Sequence, residues 1–265
     1  YYSVHVNGDY DYNKSLFSCT SADYQPLIII RHCQLYFSQQ SLICNQSHKH
    51  GATINISHSQ LSLDGHSCLF MDKGSKIPTT ISIENSKIDL GLDSCYIGRN
   101  SDSLNVALLN SVVEGGILFD KCHGSFYFNN CSLEPRLLLN YQGSGDISVE
   151  LWLQQCTYQT TDKLLNLQSE GQISTQIMIH NSQVISYNDS PKGSSLLEIA
   201  SKIEKGTFIA DISHTRIMFN FNHQQNQWLQ TNLPQRLYNW NNSCHNGRNC
   251  PPATVAVSSI FSDSP

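Results

Sequence analysis

One ten-residue pattern recurs eight times along the 265 residues and constrains the fold more than any other feature. It reads apolar-x-apolar-x-Asn/His-Ser/Cys-x-apolar. Its copies start at Ile28, Ile54, Ile81, Val106, Phe126, Leu151, Ile177 and Ala210, as in INISHSQLSL, ISIENSKIDL and IMIHNSQVIS. The spacings are 26, 27, 25, 20, 25, 26 and 33 residues. A period of this length marks stacked repeats, each a unit that cannot bury its own apolar face.

Within a copy, positions one and three are apolar and alternate with polar residues, the period of a strand with one buried face. Position eight is apolar again after a break in that alternation: Leu35, Leu61, Ile88, Val113, Leu133, Tyr158, Val184 and Ile217. The chain therefore turns a corner near positions five and six and sends a second strand back to the same core. A third apolar segment follows: Leu42-Ile43, Leu69-Phe70, Tyr96-Ile97, Ile117-Leu118, Leu137-Leu138, Leu164-Leu165 and Leu196-Leu197. Three short strands per repeat, stacked at ~4.8 Å, make a continuous core.

Position five holds His32, His58, Asn85, Asn110, Asn130, Gln155, Asn181 and His214. Position six holds Cys33, Ser59, Ser86, Ser111, Cys131, Cys156, Ser182 and Thr215. Asn tolerates left-handed dihedrals, and a buried amide at a bend can bond the coils above and below. Position five is accordingly expected to face inward, which would make the sequon residue Asn130 inaccessible. These segments resemble the IxIxNSxI coils of the pectin-lyase-like right-handed parallel β-helix superfamily, with its internal Asn and Ser stacks. The resemblance spans about residues 15 to 220 and implies an all-β, right-handed, single-stranded parallel β-helix of about eight coils. A leucine-rich repeat fits less well. Its leading Leu is replaced by Gln25, Gly51, Pro78 and Ser103, and no amphipathic helix fills the return segment.

Residues 1–27 are expected to form an N-terminal cap with a first partial coil, 28–220 the β-helix, and 221–265, where the repeat breaks, a C-terminal cap. Uncovered ends would expose unpaired strand edges.

There are 10 cysteines, without the CxxC or Cys/His spacing of a zinc framework. Cys131 and Cys156 occupy the same position in adjacent coils, within disulfide range if the coils stack. Cys68 and Cys95 fall at equivalent points of SCLF and SCYI, and Cys19 and Cys44 near equivalent points of the first two coils. Cys244 and Cys250 enclose a short loop. Four bridges are expected from these pairs, leaving Cys33 and Cys122 unassigned. The alternative is that stacked thiols fill small corner sites as Ser does elsewhere. Bridges would point to an oxidising compartment: secreted, cell-surface or periplasmic.

Two outward columns could carry function. Position nine places Asp89, Glu114 and Glu134 on consecutive coils. Carboxylates about 5 Å apart repel unless a cation sits between them, so the column suits a Ca²⁺ site at Asp89 and Glu114, a retaining acid/nucleophile pair, or a solvated strip with splayed side chains. Position two places Tyr127, Trp152 and Met178 in a second column, with His180 beside it. Such a surface can bind sugar rings or a protein partner, unless the protein's own chain covers it.

Net charge is −5 and only 14% of residues are charged, with no basic cluster, which excludes phosphate-driven nucleic-acid binding. No run approaches the ~18 apolar residues of a membrane-spanning helix. The NTD…DD…GHG…RxK set of polygalacturonases and the Asp-rich calcium cluster of pectate lyases are both missing. The expectation is a non-enzymatic glycan- or protein-binding β-helix without a cofactor, free-standing or part of a larger extracellular assembly. The alternative is a polysaccharide lyase or glycosidase using the acidic column.

Overall fold

The computed structural model describes residues 2–7, 15–19, 25–39, 41–45, 50–72, 77–91, 95–188, 195–219 and 227–245. Strands β1 (Tyr2–Asn7) and β2 (Ser15–Cys19) come first. The next three coils carry β3 (Leu27–Arg31), β4 (Cys33–Ser38) and β5 (Ser41–Asn45), then β6 (Thr53–Ser57), β7 (Gln60–Asp64) and β8 (Cys68–Asp72), then β9 (Thr79–Glu84) and β10 (Lys87–Asp89). In the tightest coils the third strand runs unbroken into the next first strand, giving β11 (Tyr96–Leu109), β12 (Val112–Glu114) and β13 (Ile117–Asn129). There follow β14 (Ser132–Glu134), β15 (Leu137–Gly143), β16 (Ile147–Gln154), β17 (Thr157–Thr160), β18 (Lys163–Ser169), β19 (Ile173–His180) and β20 (Gln183–Ser186). The last are β21 (Ser195–Ser201), β22 (Gly206–Phe219), β23 (Gln227–Thr231) and β24 (Gln235–His245).

All pairings are parallel and join each strand to its equivalent one coil away, so the chain is a parallel β-helix with three faces. The register is the one the decapeptide dictates. Ile56 lies level with Ile83 and Ile83 with Leu108, and the column from Ile30 to Ile212 is buried throughout. Burying each such side chain stabilises the fold by about 1.5–3 kcal/mol. On the third face Ile43, Phe70, Gly98, Phe119 and Leu139 succeed one another. A Cβ on Gly98 would sit 2.9 Å from Leu104 Cδ2 and 3.1 Å from Phe119 Cδ1. The missing side chain admits the Phe119 ring, which packs 4.6 Å from that of Phe126.

The first corner is built the same way eight times. His32, His58, Asn85, Asn110, Asn130, Gln155, Asn181 and His214 all have φ between 48° and 54°. Contrary to expectation, all eight side chains are exposed, Asn130 included. The αL residue turns its side chain outward, and position six becomes the inward one. The outer residues still stack: the His32 and His58 rings lie 5.0 Å apart, and Asn130 Nδ2 donates to Asn110 Oδ1 at 2.9 Å. Inside, each position-six hydroxyl donates to the carbonyl two residues back, as Ser86 Oγ does to Glu84 O at 2.8 Å. It also accepts the backbone N–H of the preceding coil: Ser59 N–H bonds Ser86 Oγ at 3.1 Å, and Ser86 N–H bonds Ser111 Oγ at 3.2 Å.

The cysteines are corrected by the same geometry. Cys131 and Cys156 do stack but form no bridge. Each thiol takes the serine role, donating to Asn129 O at 3.3 Å and Gln154 O at 3.2 Å respectively. The two neighbouring sulfurs interact, which lowers the Cys131 pKa and raises that of Cys156. The Cys68–Cys95 bridge is also absent, for Cys68 is a thiol level with Tyr96 rather than Cys95. A one-residue slip moves a side chain to the opposite face of a strand. The backbone of Cys44 is likewise level with Ser18, and that of Cys19 with Asn45. The Cys19 side chain, the Cys244 side chain and Cys250 lie outside the described residues. Beyond residue 220, β23 pairs with β21 and β24 with β22, continuing the stack by a further coil.

Candidate functional site

The first face carries a patterned surface chemistry. Its outward column runs Ala107, Tyr127, Trp152, Met178, Asp211, in register. The Tyr127 and Trp152 rings lie 6.4 Å apart at an interplanar angle of 58°. Both are half-buried by their sheet neighbours, and both are fixed at their polar ends. Tyr127 Oη donates to Gln154 Oε1 at 3.2 Å and accepts from Asn129 Nδ2 at 3.2 Å. Trp152 Nε1 donates to Glu150 Oε1 at 3.0 Å, while Ser125 Oγ donates to Glu150 Oε2 at 3.0 Å. Every one of these groups sits on a regular strand, so the aromatic pair is held by the sheet itself and not by a loop.

Toward its C-terminal end the column meets a histidine. Met178 lies level with Asp211, and His180 Nε2 approaches Asp211 Oδ1 at 3.4 Å. The four residues singled out in sequence, Tyr127, Trp152, Met178 and His180, thus share one face. The sequence reading missed Glu150, Gln154, Asn129 and Asp211, which orient them. Extending each copy by one outward position on either side of the aromatic column would have found Glu150, Gln154 and Asn129, and carrying the column itself one coil further would have found Asp211.

Asp89, Glu114 and Glu134 also stand level on the second face. Their chemistry differs from that expected of a bare acidic column. Lys87 Nζ lies 2.9 Å from Glu114 Oε2 and 3.1 Å from Oε1. Glu114 in turn raises the Lys87 pKa through that hydrogen bond. Asp89 Oδ1 accepts the Gly91 N–H at 2.9 Å. The middle carboxylate is therefore paired with a lysine. Among the described residues no group of three His, Cys, Asp or Glu side chains comes together to hold a metal ion. Nor is any helix among them long and apolar enough to cross a membrane.

No protein-family model matches the chain, and no curated protein matches it in sequence.

Proposed function

We propose that this chain is a non-catalytic binding solenoid that holds a glycan on its first face. It would act outside the cell, alone or within a larger assembly, as a member of the right-handed pectin-lyase-like superfamily. The observation that carries the reading is the pinned Tyr127–Trp152 pair, flanked by Glu150, Gln154 and Asn129. Aromatic faces take the C–H side of a sugar ring, and carboxylate and amide groups beside them take its hydroxyls. Fixing both kinds of group before binding lowers the ordering cost of association. A carbohydrate fits this mixture better than a protein partner, whose contact would favour a wider apolar centre.

The extracellular assignment rests on the polar, weakly charged composition. Cysteine chemistry adds nothing to it, because Cys33, Cys68, Cys122, Cys131 and Cys156 are thiols in this structure.

The test is a glycan array followed by titration of the best ligand. Trp152→Ala and Tyr127→Ala are expected to weaken binding by about tenfold each, the worth of one aromatic contact. Glu114→Gln, on another face, should bind as the wild type does. Unchanged affinity in both aromatic variants would sink the proposal, as would saccharide turnover abolished by Glu114→Gln.

A further inference from the structure

On the far side from the aromatic pair, at the corner between the second and third faces, lies a shallow cleft of about 290 Å³. It is lined by Gly91, Gly115, Gly116, Glu134, Arg136 and Tyr187, with Gln159 and Thr160 between them. Its shape follows from turn length. In three successive coils this corner spans only two residues: Gly115-Gly116 between β12 and β13, Pro135-Arg136 between β14 and β15, and Thr161-Asp162 between β17 and β18. In the next coil it lengthens, and Tyr187 rises at that end with 37% of its surface exposed. Low turns make the floor and Tyr187 makes a wall.

The floor is kept bare by necessity. Gly115 and Gly116 have φ of 75° and 54°. A Cβ on Gly115 would run into Gly91 O, and one on Gly116 would lie 2.8 Å from both Cys95 O and Leu90 Cβ. Any side chain here would therefore both strain the backbone and collide with the coil below. Tyr187 is anchored through its backbone, its N–H donating to Thr160 O at 2.7 Å. Its ring stands at the end of a flat strip that presents one carboxylate, one guanidinium and one amide, from Glu134, Arg136 and Gln159.

We propose that this cleft is a second ligand site, for a neutral saccharide. One acid and one base give the cleft no net charge with which to select an ion. Both are planar groups able to make two hydrogen bonds at once, the geometry that suits neighbouring hydroxyls on a sugar ring. Gln159 can donate or accept as a third hydroxyl requires. An aromatic ring at the edge of a bare backbone floor provides the stacking surface for the ring's C–H face. The cleft is open, so affinity is low and depends on more than one of these contacts. This site does not rest on the first-face reading, because no lining residue belongs to the first face.

Saturation-transfer NMR and calorimetric titration with methyl glycosides of the common hexoses and their neutral disaccharides test the assignment on the full chain. The wild type binds at least one of these probes. Tyr187→Ala weakens binding by about tenfold, and Tyr187→Phe restores it because the ring alone stacks. Glu134→Gln and Arg136→Ala each weaken binding of the same probe. Tyr187, Glu134 and Arg136 are exposed, so an unchanged thermal midpoint checks that each variant folds. In a Trp152→Ala background the Tyr187-dependent binding remains. No binding to any probe, equal binding by wild type and Tyr187→Ala, or complete loss in the Trp152→Ala background would each overturn the assignment.

Discussion

At the scale of single residues, the corner position shows how a local backbone demand selects side chains. Eight residues sit at φ near 50°, and five of them are Asn or Gln while three are His. The left-handed region costs an ordinary L-residue about 1–2 kcal/mol, least for Asn, whose short amide bonds locally. Gln155 therefore tolerates Asn, whereas Gln155→Val should lower stability by roughly 1–2 kcal/mol, read as a drop in thermal midpoint. The left-handed turn was legible in the sequence, but its direction was not. Alternation tells which strand residues share a face and says nothing of a residue at the break. His123 offers a second prediction at this scale. Burial holds its pKa below the ordinary 6.5, with Asp102, its Oδ1 3.8 Å away, opposing the shift. The folded state thus prefers the neutral ring, and the unfolded state binds more protons just below that value. Stability is complete above 6.5 and declines as pH falls toward the lowered folded value. Denaturant melts of wild type and His123→Gln at about pH 7.5 and pH 5 check this, the variant losing less on acidification.

At the scale of elements, the inner corner ladder is the repeated unit of specificity. Each Ser Oγ both donates and accepts, so removing one leaves a buried N–H in the coil below without its acceptor. Ser86→Ala strips Ser59 N–H of its partner and should cost about 1–3 kcal/mol. Ser86→Cys should cost less, since Cys131 and Cys156 already make the same back-bond through sulfur. Urea midpoints with an unchanged m-value are the measure. The same logic explains the cysteine result. Stacked corner thiols resemble a disulfide pair in sequence, because equivalence in the repeat fixes their level. What the repeat leaves open is whether sulfur substitutes for a hydroxyl or bonds another sulfur. Cys68 and Cys95 failed for a different reason. Their flanking residues look equivalent, yet Phe70 stands level with Gly98, which puts Cys68 opposite Tyr96. The third strand lacks the corner signature that anchors the first two, so its phase could not be read. The acidic column was legible to the residue, but its pairing with Lys87, which reaches Glu114 from the neighbouring strand, was not.

At the scale of the whole molecule, a stack of coils makes stability a local property. Each coil is held by its two neighbours, so the central coils have two partners and the terminal ones fewer. The core column is essentially closed to solvent at Ile83, Leu108 and Phe128, whereas Ile30 near the start retains 7% exposure and Leu27 and Ile29 beside it are exposed. The repeat itself decays in the same direction. The coils formed by β1 and β2, and by β23 and β24, lack the full decapeptide, which is why the sequence pattern ended before the strands did. Opening should therefore proceed from the ends inward, in steps of one coil, with free energies rising toward the middle. Hydrogen exchange is expected to protect the amides of β13, β16 and β19 most and those of β3 and β6 less, with strands of one coil exchanging together although they are distant from their partners in sequence. A central cavity would test the coupling. Phe128→Ala should cost about 3–5 kcal/mol and speed exchange in the coils on both sides of it. Ile30→Ala should cost less and leave β13 and β16 as slow as before. Uniform protection from end to end, or equal spread of the two cavities' effects, would mean that the stack unfolds as one cooperative block instead.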